Sequence, residues 1–307
     1  MHPHSSARGR QYGPWRIAWL TLAGLCAHAI QAAPVAARDA LGQELRLATP
    51  ARRIVSLSPH ATELLFAAGA GPQVVGVSQY SDWPAEARKR TQVGGYEALD
   101  LERVLALKPD LVVGWASGNN AAQIAQLRRM NLQVYLSEPK QFADIAADIR
   151  KLGQLAGTAS QAEARAASLL GRIEALRTRY AKRQTVRVFY QIWSDPLMTL
   201  NGEHLVSQVL TLCGGRNVFD ALGTLAPTVT EEAVLKAAPE AILSPSEPGV
   251  AAGALDRWKK WSALPAVAAG NLIAVDGNLL NRSGPRIVEG AEQVCVALDA
   301  ARKRLHP

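Results

Sequence analysis

Cysteine is scarce in this chain, with three in 307 residues. No Cys-x-x-Cys or His-x-x-x-His spacing accompanies them, so nothing supports a zinc site. Histidine is also sparse: after the first 33 residues only His60, His204 and His306 occur. No Ser-His-Asp set can be assembled from them with more than loose candidates. Also missing are Gly-x-Ser-x-Gly, a P-loop, Gly-x-Gly-x-x-Gly after a strand, and His-Glu-x-x-His. Enzyme readings therefore lose their usual carriers. No basic cluster interleaved with aromatics appears, which leaves nucleic acid without support as a partner. No long low-complexity run appears either, and nearly half the residues are apolar, so the composition is globular.

What is present begins at the N-terminus. Arg8, Arg10 and Arg16 precede an apolar stretch, Ile17 to Ile30, followed by small residues at Ala29, Ala32 and Ala33. Basic, apolar, then small is the order of a cleaved secretory signal, placed here at 1–33 with cleavage within 29–33. The alternative is a single membrane anchor, which the shortness of the stretch and His28 oppose. Leu25 stands before Cys26 where a lipobox has a small residue, which argues against lipidation. Losing three arginines from a formal charge of +8 leaves +5, a mild value. Cys213 and Cys295 then remain as an even pair in an exported chain. They read as a disulfide closing a long loop, worth roughly 4 kcal/mol in the chain-entropy model, or alternatively as two buried thiols.

Beyond the signal, short apolar strands alternate with helices. A hairpin is predicted over Val35–Leu47, then strands at Arg53–Ser58, Val74–Ser78, Asp110–Trp115 and Val134–Ser137. Helices fall between them at His60–Gly69, Leu101–Leu107, Asn120–Met130 and Phe142–Leu155. This pattern predicts a mostly parallel sheet with helical crossovers. A long helix follows over about 160–182, with Ala166, Leu169, Ile173, Leu176 and Tyr180 at helical spacing and Ser160–Glu163 as a capping box. The second half then restarts the plan: a strand at Val186–Ile192, a helix at His204–Leu212, a strand at Ala241–Ser244 and a terminal helix at Glu289–Leu305. The expected organisation is an α/β lobe at 34–157, a connecting helix at 158–184 and a second α/β lobe at 185–307. An ordinary packing helix within one lobe is the alternative for the connector.

The two halves share a sentence. Residues 102–113 and 232–243 each open on an acid, run through a short amphipathic stretch to Pro109 or Pro239, and enter an apolar β-type run. Glu102 and Glu232 are thereby matching acids on matching lobes, placed to suit a two-fold partner. Helix-start charge is the local alternative. Ligands in open α/β lobes gather beyond the carboxyl ends of the strands. Those ends carry His60, Tyr80, Trp115, Trp193 and the Asn278-Leu279-Leu280-Asn281-Arg282 run to Arg286. With Tyr96, the three larger rings suit a large, flat, partly apolar ligand. One of Arg282 and Arg286 could meet polar groups of the ligand while the other ties down the C-terminal helix. His60 is the one candidate axial ligand to a metal carried by the ligand; no direct protein metal site is expected.

Several motifs carry a resemblance: Ile54-Val-Ser-Leu-Ser-Pro59 with Thr62-Glu-Leu64, Tyr80-Ser-Asp-Trp-Pro84, Leu101-Glu-Arg103 with Leu107-Lys-Pro-Asp-Leu111, Cys213-Gly-Gly215 with Asn217-Val-Phe219, and Pro285-Arg-Ile287. From about Arg53 to Leu298 the chain resembles the periplasmic vitamin B12-binding proteins of ABC importers, in the iron-siderophore/cobalamin superfamily. The resemblance implies a helical-backbone periplasmic binding fold with cobalamin as transported ligand and no catalytic cofactor. It implies ligand contacts at Tyr80 and at Asn278 to Arg282, permease docking by Glu102 and Glu232, and a Cys213–Cys295 bridge. It also implies a permease dimer with ATPase subunits as partner to a monomeric receptor. The chain departs from the family pattern at Tyr96, Ala226 and Leu279, where tryptophan is usual in its best-known member, and at Asn278, where that member has aspartate. Haem or a ferric siderophore is the alternative ligand, and an exported enzyme on the same scaffold the more distant one.

Overall fold

Short, continuously apolar strands build two parallel sheets. The computed structural model describes residues 33–95, 98–246 and 253–306, with Met1 and Gly9. The segment read as a signal peptide therefore lies almost wholly outside the described residues. The first sheet orders its strands Thr91–Gln92, Val74–Val77, Ile54–Ser56, Leu111–Trp115 and Val134–Ser137, all parallel. The second orders Gly215–Asn217, Val186–Tyr190, Ala241–Ser246 and Leu272–Asp276, also all parallel. Both are covered on two faces, as parallel sheets require. Ile54, Leu111, Val113 and Tyr135 face the central core, while Val55, Val112, Val134 and Leu136 face a second cluster on the outer side. Antiparallel strands Val35–Arg38 and Glu44–Leu47 form the N-terminal hairpin.

One helix, Ala159–Tyr180, serves both lobes. Its 22 residues span about 33 Å at the standard rise. Ala162, Ala166, Leu169, Ile173, Leu176 and Tyr180 form a single buried stripe. Its first turns lie against Phe142–Ala156 of the first lobe, and further along it meets Leu205–Leu212 and the terminal helix Ile287–Leu305 of the second. Gly153 allows the first crossing, since a Cβ there would stand 2.2 Å from that of Ala162. The central core therefore runs unbroken from Ala37 to Leu298. The Ser160–Glu163 capping box does not form. The helix starts at Ala159, with Thr158 at the cap two residues before the expected Ser160, so Ser160 sits inside the first turn. Glu163 instead accepts both ends of the Arg150 guanidinium at 2.7 and 2.8 Å.

The repeated sentence is a repeated structure. Helices Leu101–Ala106 and Glu231–Ala237 are capped alike: Asp100 accepts the Arg103 N–H and Thr230 the Ala233 N–H. Each turns into its strand through a residue of positive φ, Lys108 at 45° and Ala238 at 44°. Asp110 then accepts the backbone N–H of Arg53, and Glu240 that of Arg187. Arg53 donates back to the Leu107 carbonyl, and Arg187 to that of Ala237. Glu102 and Glu232 consequently hold equivalent, exposed positions on the two lobes. In the second lobe a disulfide joins Cys213 to Cys295, tying the end of helix Leu205–Leu212 to the terminal helix.

Candidate functional site

A cleft of about 750 Å³ opens where strand ends from both sheets converge. The first lobe contributes Pro59 and His60 after one strand, Tyr80 and Asp82 after the next, and Trp115 at the end of a third. The second lobe contributes Trp193, Asn278, Asn281, Arg282 and Ser283. The carboxyl ends of parallel strands thus supply the walls. Tyr80, Trp115, Trp193, Asn278, Asn281, Arg282 and His60, all singled out from sequence, meet here. Tyr96 lies outside the described residues.

Local structure presents the aromatic rings. Tyr80 has φ 62° and is 71% exposed, a left-handed backbone held in a loop by the Thr62, Ser78 and Ser81 hydroxyls. An aromatic residue in that region is strained, and such strain persists where surroundings fix it. Trp115 lies over Gly118, where a Cβ would come within 1.9 Å of the indole. Any other residue at 118 would push the ring off its place. Trp193 starts a two-strand turn, Trp193–Ser194 with Leu197–Met198, and its indole N–H donates to the Asp195 carbonyl at 2.9 Å.

Leu279 and Leu280 do not line the cleft. They lie in the single helical turn Gly277–Leu280, opened by the Asp276 carboxylate on the Asn278 N–H, and are 8% and 2% exposed. Their side chains pack toward Gly290 of the terminal helix. Four consecutive residues on one helical turn cannot all face one wall, and the two leucines take the inward side. Asn281 turns its Oδ1 to the Tyr190 hydroxyl at 2.8 Å.

The arginines are committed to the opposite lobe. Arg286 grips Glu63 at two points, 2.6 and 3.0 Å, and its guanidinium lies 4.7 Å from the Trp83 ring centroid. Arg282 donates to Asp82 at 2.7 Å and lies 3.4 Å from Glu63. The expectation that one arginine ties down only its own C-terminal helix is therefore corrected: both close a clasp across the lobes. Burial works against the charge of Asp82, but the hydrogen bond and charge of Arg282 outweigh it and hold the carboxyl below its ordinary range. Glu63, Asp82 and Trp83 complete this clasp; the sequence motifs contain them but assign them no site role. The signal available was Glu63 itself, an acid within the apolar run Ala61 to Leu65. Among the described residues lining the cleft, no cation lacks a carboxylate partner.

His60 is buried, and burial lowers its pKa from 6.5 to about 4, so its imidazole is neutral at physiological pH. Its ring stands edge-on to Trp115, centroids 5.4 Å apart. Among the described residues no His/Cys/Asp/Glu cluster forms a metal site, and no helix is long and apolar enough to cross a membrane.

Two α/β lobes on one long helix, with an aromatic cleft between their strand ends, define a bilobed substrate-binding protein. The chain belongs to the Periplasmic binding protein family, whose profile matches residues 54–279. A vitamin B12-binding protein of Vibrio cholerae serotype O1 is 38% identical over 256 residues, 83% of this chain and 92% of that one. The crystal structure of the periplasmic vitamin B12-binding protein BtuF of Vibrio cholerae superposes with a TM-score of 0.76 at 37% identity, covering 83% of this chain and 99% of that one. The periplasmic haem-binding protein RhuT from Roseiflexus sp. RS-1 gives 0.73 at 26% identity, covering 81% and 99%.

Proposed function

We propose that this protein is a periplasmic receptor, exported by a cleaved leader at 1–33, that captures cobalamin or a related corrinoid and delivers it to an ABC importer. It acts as a monomer on a permease dimer with its ATPase subunits and carries out no catalysis itself. The cobalamin reading rests on the relatives named for vitamin B12 and on one observation of the cleft. Aromatic rings and neutral amides face the ligand space, while Arg282 and Arg286 are already neutralised by Glu63 and Asp82. A rim of uncharged groups suits a ligand decorated with carboxamides. An anionic tetrapyrrole or a carboxylate siderophore would have to take an arginine from its buried partner. The long shared helix Ala159–Tyr180 limits hinge motion, so the cleft is largely formed before the ligand arrives.

Calorimetric titration with cyanocobalamin is expected to give a submicromolar dissociation constant. Trp115→Ala and Trp193→Ala are each expected to weaken it about tenfold, the usual scale for a buried interfacial aromatic. Haem added under the same conditions is expected to give no saturable Soret shift. No saturation by cyanocobalamin at micromolar concentration, with a stoichiometric Soret band for haem, would replace the corrinoid with haem.

A further inference from the structure

We propose that His60 presents its Nε2–H to the cleft as a hydrogen-bond donor for a peripheral amide carbonyl of the ligand, and is not an axial ligand to its metal. The inference rests on the corrinoid reading above. Two observations carry it. His60 lines the cleft, and its buried Nε2 has no partner in the protein. A buried polar nitrogen left unpaired is uncommon, and in a binding protein the bound ligand is the partner available to satisfy it.

The tautomer follows from Ser58. This buried serine caps helix Pro59–Ala67, its hydroxyl oxygen accepting the Ala61 N–H at 3.4 Å. The same hydroxyl lies 3.2 Å from His60 Nδ1. Among the described residues, Nδ1 is the side-chain acceptor within reach of the Ser58 proton. If Ser58 donates to Nδ1, the proton of the neutral imidazole sits on Nε2, and one group, that N–H, is left open. If instead Nδ1–H donated to Ser58, both the serine proton and the Nε2 lone pair would be orphaned. The first arrangement leaves fewer unsatisfied buried groups, each of which carries a desolvation penalty. Coordination of cobalt needs the second arrangement, because a metal binds the lone pair. Ser58 thus sets His60 up as a donor. A neutral donor in a wall without free cations matches a neutral acceptor, which the carboxamide rim of a corrinoid supplies.

The test is titration of wild type, His60→Leu and His60→Gln with cyanocobalamin, and separately with aquacobalamin, whose axial water exchanges. His60→Ala replaces the leucine variant if leucine fails to fold beside Trp115; thermal melts of each ligand-free variant settle that. Cyanocobalamin affinity is expected to fall about tenfold in the apolar variant and to recover largely in His60→Gln, whose Nε2 can still donate. Aquacobalamin is expected to keep its free absorbance spectrum when bound. Equal cyanocobalamin affinity in wild type and the apolar variant overturns the donor role and leaves the receptor reading standing. A spectral shift of bound aquacobalamin that disappears in both variants overturns it in favour of coordination. Failure of wild type to bind cyanocobalamin overturns the receptor reading and the inference with it.

Discussion

Replacing Glu63 with alanine is expected to lower the unfolding free energy by about 3–5 kcal/mol, the range for removing one member of a buried ion pair. The side chain is 1% exposed, and the two arginines it holds are 16% and 17% exposed. Without it, Arg286 loses both of its carboxylate hydrogen bonds and Arg282 keeps only Asp82. The mostly buried Arg286 guanidinium would then be left without its ion-pair partner at the lobe junction, which is why the loss exceeds that of any surface pair. The Arg150–Glu163 pair, though equally short, lies in solvent and is expected to matter little when either partner is removed. Urea unfolding followed by circular dichroism measures the difference, with Glu163→Ala as the control. A loss no larger than the control's would mean that the clasp adds nothing across the lobes.

The same substitution reaches the ligand. Glu63 belongs to helix Pro59–Ala67 of the first lobe and the arginines to the segment before the terminal helix of the second, so the clasp helps fix the width of the cleft. Releasing it removes part of the preorganisation that spares the ligand an ordering cost. Cyanocobalamin should dissociate faster from Glu63→Ala, while its association rate changes less. Stopped-flow fluorescence separates the two. Acid should spare the Arg282–Asp82 contact longer than an unpaired aspartate would suggest. A depressed carboxyl contributes stability above its unfolded pKa and loses it only as pH falls through the lower folded value.

The strands and helices that build the lobes are readable from sequence because burial on both sheet faces leaves uninterrupted apolar runs, as at Leu111–Trp115 and Val134–Ser137. The long helix is readable for the complementary reason, one stripe repeated over six turns. Some of the shortest elements escape, Thr91–Gln92 and Gly215–Asn217 among them, since no period or apolar run can be seen in so few residues. Strand Gly215–Asn217 has a glycine, an arginine and an asparagine, none a strand former, and is held in place by its parallel neighbour Val186–Tyr190. The turn Gly277–Leu280 owes its existence to the Asp276 cap, and its sequence alone does not say which residues face inward. The cleft aromatics are legible because strand ends are predictable. The clasp is not, because Glu63 and Arg286 are 223 residues apart and a charge pair leaves no local periodicity.

Changing both Glu102 and Glu232 to alanine is expected to leave cyanocobalamin affinity unchanged and to cut cellular uptake at least tenfold. The prediction follows from equivalence. Both acids occupy the second position of helices capped alike, follow one hydrogen-bond scheme into their strands, and point away from the core. A helix-start charge needs no such symmetry, whereas two equal contacts on a two-fold partner do. Glu231, the neighbour of Glu232, is a built-in control. Side-chain hydrogen bonds from Arg257 at 2.7 Å and Lys260 at 2.9 Å engage it and lower its pKa to about 2. Glu232 keeps its carboxylate on its own backbone N–H and the Thr230 hydroxyl and makes no ion pair among the described residues, so Glu231→Ala should not reproduce the transport defect. Rim charges of this kind govern orientation and encounter more than residence, so raised salt should weaken wild-type transport toward the level of the double variant. Uptake of labelled cyanocobalamin by cells lacking their own copy of the gene, with each variant supplied in turn, measures all three. A double variant that fails to bind ligand, or one that binds and transports normally, removes the glutamates from docking. Single variants distinguish the two lobes: if the contacts are equivalent, Glu102→Ala and Glu232→Ala should show similar partial defects, and their combination should exceed either.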